Sequence, residues 1–176
     1  MKMLKRLWKN NSLANNQYKM QKLDEVDRKI LDILIDNTRI PFTDIAKRLL
    51  ISAGTVHVRV KKMEDLNIIK GSSLTLDYNL LGYNFIAYVG ILIDRSRRTY
   101  EIIEELKKKP YVTVAHITTG KYNIFCKIRA KGTEHAREII FSIDDVEGVL
   151  RTETMISLEE SINDKKRLMK SIFQEL

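Results

Sequence analysis

From Asp24 onward, Val26, Ile30, Ile33 and Leu34 recur at helical spacing and share one side of a helix. Asp24 suits the N-cap, and Asp27 three residues later has the place of a capping-box partner; the pattern predicts a helix that fades near Asn37 and Thr38. A second, short helix is expected from Pro41 or Thr43 to Leu49, with Ile45, Ala46 and Leu49 turned inward. Ser52 is expected to cap a third helix that runs to about Leu66 and packs through Val56, Val60 and Met63. Three helices, the last two joined by a tight turn, make a helix-turn-helix pattern over residues 23–70. Residues 71–81 read as a linker strand.

Past Gly82 the period changes. The run YNFIAYVGILID, residues 83–94, is rich in aromatic and β-branched residues and reads as a strand. Residues 97–109 read as a helix, acidic at its start, basic at its end and stopped by Pro110. YVTVAHITT and YNIFCKIRA read as two strands joined at Gly120-Lys121. Ala136, Ile139, Ile140 and Ile143 mark a helix over 133–143, and VLRTETMISL closes the series as a strand. The order strand, helix, strand, strand, helix, strand is that of a ferredoxin-like βαββαβ domain, expected over residues 82–158. The fold class expected is therefore α+β.

In the first strand Phe85, Ala87, Val89 and Ile91 alternate with Ile86, Tyr88 and Leu92, so both faces are apolar. Two helices cover only one face of the sheet, which leaves the other to a second sheet; a homodimer built sheet to sheet is the expected solution. Lys127, Arg129, Arg151 and Glu153 give that open face a mixed character. Residues 159–176 carry Ile162, Met169, Ile172, Phe173 and Leu176 and are expected to dock as an amphipathic helix on their own domain or on a neighbour.

Composition narrows the function. The 176 residues carry a net charge of +8, and residues 1–22 supply +6 of it through Lys2, Lys5, Arg6, Lys9, Lys19 and Lys22. Such an arm either reaches toward phosphate or is a solvated tail. No apolar run spans a bilayer and the N-terminus lacks a secretory pattern, so a cytoplasmic protein is expected. The seven glycines are isolated, His57, His116 and His135 lie far apart, and Cys126 is alone. No phosphate loop, metal cluster or nucleophile motif is formed; neither an enzyme nor a cofactor is expected.

The third helix carries the chemistry. Ser52, Gly54 and Thr55 make a small, polar first turn that admits close approach to a base edge, while His57, Val58, Arg59, Lys61 and Lys62 follow on or beside its outer side. Arg59 and Lys61 are expected among the DNA contacts, and their loss is expected to leave the fold intact. A metabolite-sensing or scaffold protein whose helical domain contacts protein has the same pattern, and both readings stay open here.

The segments LDEVDRKILDILIDNTRIPFTDIAKRLLISAGTVHVRVKKMEDLNIIKG, LDYNLLGY, TTGKYNIFCKI and GVLRTETMISL together resemble the Lrp/AsnC family of feast/famine transcription regulators. The resemblance covers residues 23–158. It implies a winged helix-turn-helix domain bound to double-stranded DNA and a ferredoxin-like effector domain. It also implies dimers that assemble into tetramers or octamers, under control of an amino acid or related small metabolite. By position it makes residues 52–62 the recognition helix. It places Thr118, Thr119, Gly120, Tyr122 and Asn123 on the family's effector hairpin, and Arg151 and Thr152 on the neighbouring strand. Two departures matter. Val58 stands where the family often has a basic residue. Asn123 replaces an Asp, so an effector's ammonium group is expected to be held less strongly.

Overall fold

The computed structural model describes residues 23–164 and 166–174, so the basic arm expected over residues 1–22 lies outside them. The chain divides into two compact units. One comprises the residues up to Leu74 together with the segment from Asn163; the other runs from Thr75 to Ile162.

The first unit opens with α1 (Glu25–Asp36), α2 (Phe42–Leu49) and α3 (Ala53–Asp65). Asp24 is the N-cap of α1, and its side chain accepts from the Asp27 backbone while Asp27 accepts from the Asp24 backbone. Ser52 caps α3 by accepting from the Thr55 N–H. These caps are local, which is why the helix starts were legible in the sequence. Ile30, Ile45, Val56 and Met63 are fully buried between the three helices. The described residues of this unit hold no strand. Residues 71–77 form no ladder either, so among the described residues neither the expected linker strand nor a paired wing is found. An extended segment becomes a strand only beside a second one, and among the described residues none pairs with it.

The turn between α2 and α3 holds a strained residue. Leu50 caps α2 in the left-handed region (φ 55°) and is 93% exposed. A Cβ there costs about 1 kcal/mol, and the exposed side chain returns little packing. Leu50→Gly is expected to raise the stability of this unit by about 0.5–1 kcal/mol. The change would appear as a higher denaturant midpoint at unchanged slope. A lower midpoint would mean that the leucine packs on something after all.

The second unit is a four-stranded antiparallel sheet in the order β2-β3-β1-β4, with β1 (Phe85–Ile93), β2 (Val112–Ile117), β3 (Ile124–Ala130) and β4 (Val149–Ile156). Between them lie α4 (Thr99–Lys107), entered through a 3-10 turn at Ser96–Arg98, and α5 (Thr133–Asp144). Ala87, Val89 and Ile91 of β1 and Ile124, Cys126 and Ile128 of β3 meet Ile102, Leu106, Ile139 and Ile143 of the helices in one core. Burial in that core pushes the Cys126 thiol up to about 11, so it stays protonated and serves as a packing group. The other face carries Ile86, Tyr88, Gly90 and Leu92, with Phe125, Lys127 and Arg129 beside them and Glu153 and Met155 of β4 in register. Tyr88 stacks on Phe125 with ring centroids 5.8 Å apart.

A final helix, α6 (Lys166–Gln174), belongs to the first unit. Among the described residues no helix is long and apolar enough to cross a membrane.

Candidate nucleic-acid interface and effector site

The outward side of α3 is built from its first turn. Ser52 and Gly54 are exposed, and the Ser52 and Thr55 hydroxyls lie 2.8 Å apart. Among the described residues a Cβ built on Gly54 would meet only the Ser52 hydroxyl, at 3.7 Å, so none of them requires a glycine there. His57 is exposed with its ring 6.1 Å from that of Phe42. Val58 is 67% exposed. Lys61 is exposed and pairs loosely with Asp65 at 3.2 Å. An exposed pair of this kind is weak and easily exchanged for a phosphate.

Arg59 and Lys62 are engaged differently. The Arg59 guanidinium reaches Asp24 at 2.6 Å and Asp27 at 2.8 Å, and the Lys62 ammonium reaches Asp27 at 2.6 Å. The Asp27 side chain is fully buried. The expectation that Arg59 is removable without harm to the fold is therefore corrected: its side chain compensates a buried carboxylate on α1. Among the described residues two carboxylates thus face two cations here. The Arg59 hydrogen bond, and after it the backbone N–H of Asp27, holds the Asp24 carboxyl below its ordinary range. Gly54, Thr55, Val58, Arg59, Lys62 and Asp24 line one open groove of about 570 Å³ along α3.

The hairpin between β2 and β3 holds the expected effector residues, in several roles. Gly120 turns the chain at φ 102°, a conformation that favours glycine. The Thr118 hydroxyl donates to the Tyr122 carbonyl at 2.7 Å, so its proton is spent on the turn. Asn123 ties the hairpin to β1: its backbone N–H donates to the Ile91 carbonyl at 2.9 Å and its Oδ1 accepts from the Ile93 N–H at 3.1 Å. The amide oxygen expected to face an ammonium group thus already holds a strand. Thr119 is exposed at the tip. Thr152 pairs with Ile91 and Arg151 with Leu92 across the sheet, so successive residues of β4 point to opposite faces.

Two groups that were not expected among the effector residues complete the patch. Glu153 accepts from the Tyr122 hydroxyl at 2.8 Å and from Lys121 at 2.5 Å, and Arg151 lies 3.4 Å from it. The Lys121 hydrogen bond, then that of Tyr122, holds the Glu153 carboxyl below its ordinary range. Gly90 is the second: a Cβ there would fall 2.6 Å from the Tyr122 ring. The glycine lets that ring lie across β1. A lone Gly inside a strand pattern marks such a close approach, and this was the available signal. For Glu153 the available signal was its place with Arg151 on the open face of the sheet. Among the described residues no group of His, Cys, Asp and Glu is placed to hold a metal ion.

Comparison with known proteins gives the family. Residues 23–64 match the model of the AsnC-type helix-turn-helix domain, and residues 86–166 match that of the Lrp/AsnC ligand binding domain. The regulatory protein AsnC of Haemophilus influenzae is 33% identical over 144 residues, which are 81% of this chain and 96% of that relative. The structure of Escherichia coli AsnC superposes with a TM-score of 0.77 at 31% identity, over 81% of this chain and 96% of that one. A Neisseria meningitidis transcriptional regulator, solved as a complex with L-Met, shares the fold with a TM-score of 0.77 at 20% identity, over 82% and 95% of the two chains. On these matches, carried through both units, the chain belongs to the Lrp/AsnC family of transcriptional regulators.

Proposed function

We propose that α3 enters the major groove of duplex DNA with its N-terminal half, and that the protein is a cytoplasmic homodimer whose DNA affinity answers to an amino-acid-like effector. The observation that carries the DNA reading is Gly54, a helix-weakening residue on an exposed first turn that packs against none of the other helices' described residues. On this reading Ser52, Gly54, Thr55, His57 and Val58 face base edges and Lys61 faces a phosphate. Arg59 and Lys62 hold the helix at its angle through Asp27. The open face of the sheet, apolar at Ile86, Tyr88, Leu92, Phe125 and Met155, supports pairing with a second copy.

Gly54→Ala separates this reading from a protein-contacting scaffold. It is expected to raise fold stability by up to about 1 kcal/mol while weakening binding to the operator. Lys61→Ala is expected to make the slope of log affinity against log salt shallower by about 0.9, the contribution of one phosphate. If Gly54→Ala binds the operator as tightly as the wild type and the slope is unchanged in Lys61→Ala, α3 does not face DNA.

For the effector, Lys121, Arg151 and the Gly120 backbone N–H suit a carboxylate. Glu153 supplies the negative charge for an ammonium group that Asn123 lacks. Calorimetry with a panel of amino acids is the test. Glu153→Gln is expected to weaken binding of the free amino acid more than that of its N-acetyl form. Equal losses for the two would remove Glu153 from the site.

A further inference from the structure

We propose that α6 is a built-in fourth helix of the DNA-binding unit, seated on the same chain's own apolar groove, so that the effector unit is an insertion held by two covalent tethers. The groove lies on α1, the start of α2, the inner side of α3 and the segment after it. Leu31, Leu34, Ile35, Phe42, Ile68 and Ile69 line it, and Met169 enters it. Without α6 these side chains would leave a contiguous apolar surface on a small helical unit.

Three observations select this occupant. Met169 and Ile172, three residues apart, are both half-buried, whereas Leu168 points away and is 67% exposed. Such spacing is that of an amphipathic helix laid in a groove. An ion pair fixes the register: the Lys166 ammonium meets the Asp36 carboxylate, at the C-terminal end of α1, at 2.5 Å. The Asp36 charge also opposes the dipole of α1 at that end, and Lys166 offsets it. Finally, the division of the chain places everything from Asn163 with the residues up to Leu74, although 75–162 lie between them in sequence.

The family's ligand-binding model stops at residue 166, where α6 begins, and the matched relatives are almost fully covered by about four-fifths of this chain. The helix therefore begins where that family match ends. It gives β4, the strand that carries Arg151 and Glu153, a short covalent route of its own into the DNA-binding unit, residues 157–162. The inference stands whether the outer side of α3 reads DNA or protein, because the groove and the reading side are formed by different residues.

The test uses the full chain and zero-length carbodiimide coupling, which joins a lysine to a carboxylate only where the two are already paired. Peptide mass spectrometry is expected to find Asp36 linked to Lys166 in the single-chain band of a denaturing gel, and Lys166→Ala to abolish that peptide. A chain ending at Ile162 is then compared by amide hydrogen exchange. Amides of α1 and of residues 68–72 are expected to exchange about tenfold faster, while those of the β-sheet keep their rates. The Asp36–Lys166 peptide found only in the dimer band would overturn the proposal in favour of a helix donated by a second copy. Its absence would overturn the proposal outright. A linked peptide with unchanged exchange in the truncated chain would show that the helix covers nothing, and the proposal would fail equally.

Discussion

Asp27→Ala is expected to destabilise the DNA-binding unit by about 2–3 kcal/mol. The carboxylate has no access to solvent and is satisfied from every side: by Arg59 and Lys62 across the helix interface and by the Asp24 backbone N–H. Its removal ends one half of the capping box, breaks both ion pairs and leaves a void. The figure sits below the 3–5 kcal/mol of a severed buried pair, roughly, because the two cations lie near the surface and regain water. Arg59→Ala is expected to cost less, since Lys62 stays on the same carboxylate. Urea unfolding followed by exchange at α1 and α3 amides reads both effects. A loss under about 0.5 kcal/mol for Asp27→Ala would show that the network contributes no net stability.

The same network gives a sign for acid. The folded Asp24 carboxyl titrates below its ordinary value of 3.8. A depressed carboxylate adds stability above its unfolded value, and that increment disappears as the pH falls through the folded one. The unit is expected to weaken below about pH 4, and Asp24→Asn to flatten that limb. A limb of unchanged steepness in Asp24→Asn would assign the acid loss to other groups.

Gly90→Ala is the second large effect and has an unusual property: its sign depends on a residue in another strand connection. The new Cβ would lie 2.6–2.7 Å from three atoms of the Tyr122 ring, so the ring must leave β1 and give up its hydrogen bond to Glu153. A cost of about 2 kcal/mol is expected from such overpacking, with loss of effector binding. In a Tyr122→Ala background the space is vacant. There the same substitution is expected to stabilise by about 0.5–1 kcal/mol, because alanine suits a strand better than glycine. The double-mutant cycle measures this reversal directly. If Gly90→Ala destabilises equally in both backgrounds, the glycine answers to the backbone and not to Tyr122.

The helix starts and the order of helices and strands along the chain follow from local rules and were legible. Asp24 and Ser52 cap because a short polar side chain reaches an N–H three residues on, and no distant part of the chain is needed. Alternation in β1 likewise follows from the pleat, so Ala87, Val89 and Ile91 took the core face and Tyr88 and Leu92 the other. What local rules misjudged is Arg59. Its place on the helix said outward; its length let it fold back to a carboxylate 32 residues away. The linker strand failed for a related reason, since a strand is a property of a pair.

Charge and periodicity by themselves determined that this chain has a helix-turn-helix unit, a ferredoxin-like unit and an amphipathic end, because each is written in spacings of two to four residues. Only the tertiary structure decided which charges are spent and which are free. It set Arg59 and Lys62 against Asp27, closed Tyr122 over Gly90 onto a Glu153 31 residues away, and brought Met169 back to the groove on α1. Those contacts join residues far apart in the chain. Their energy depends on burial and on distances of about 3 Å, and neither is fixed until the core has formed around them.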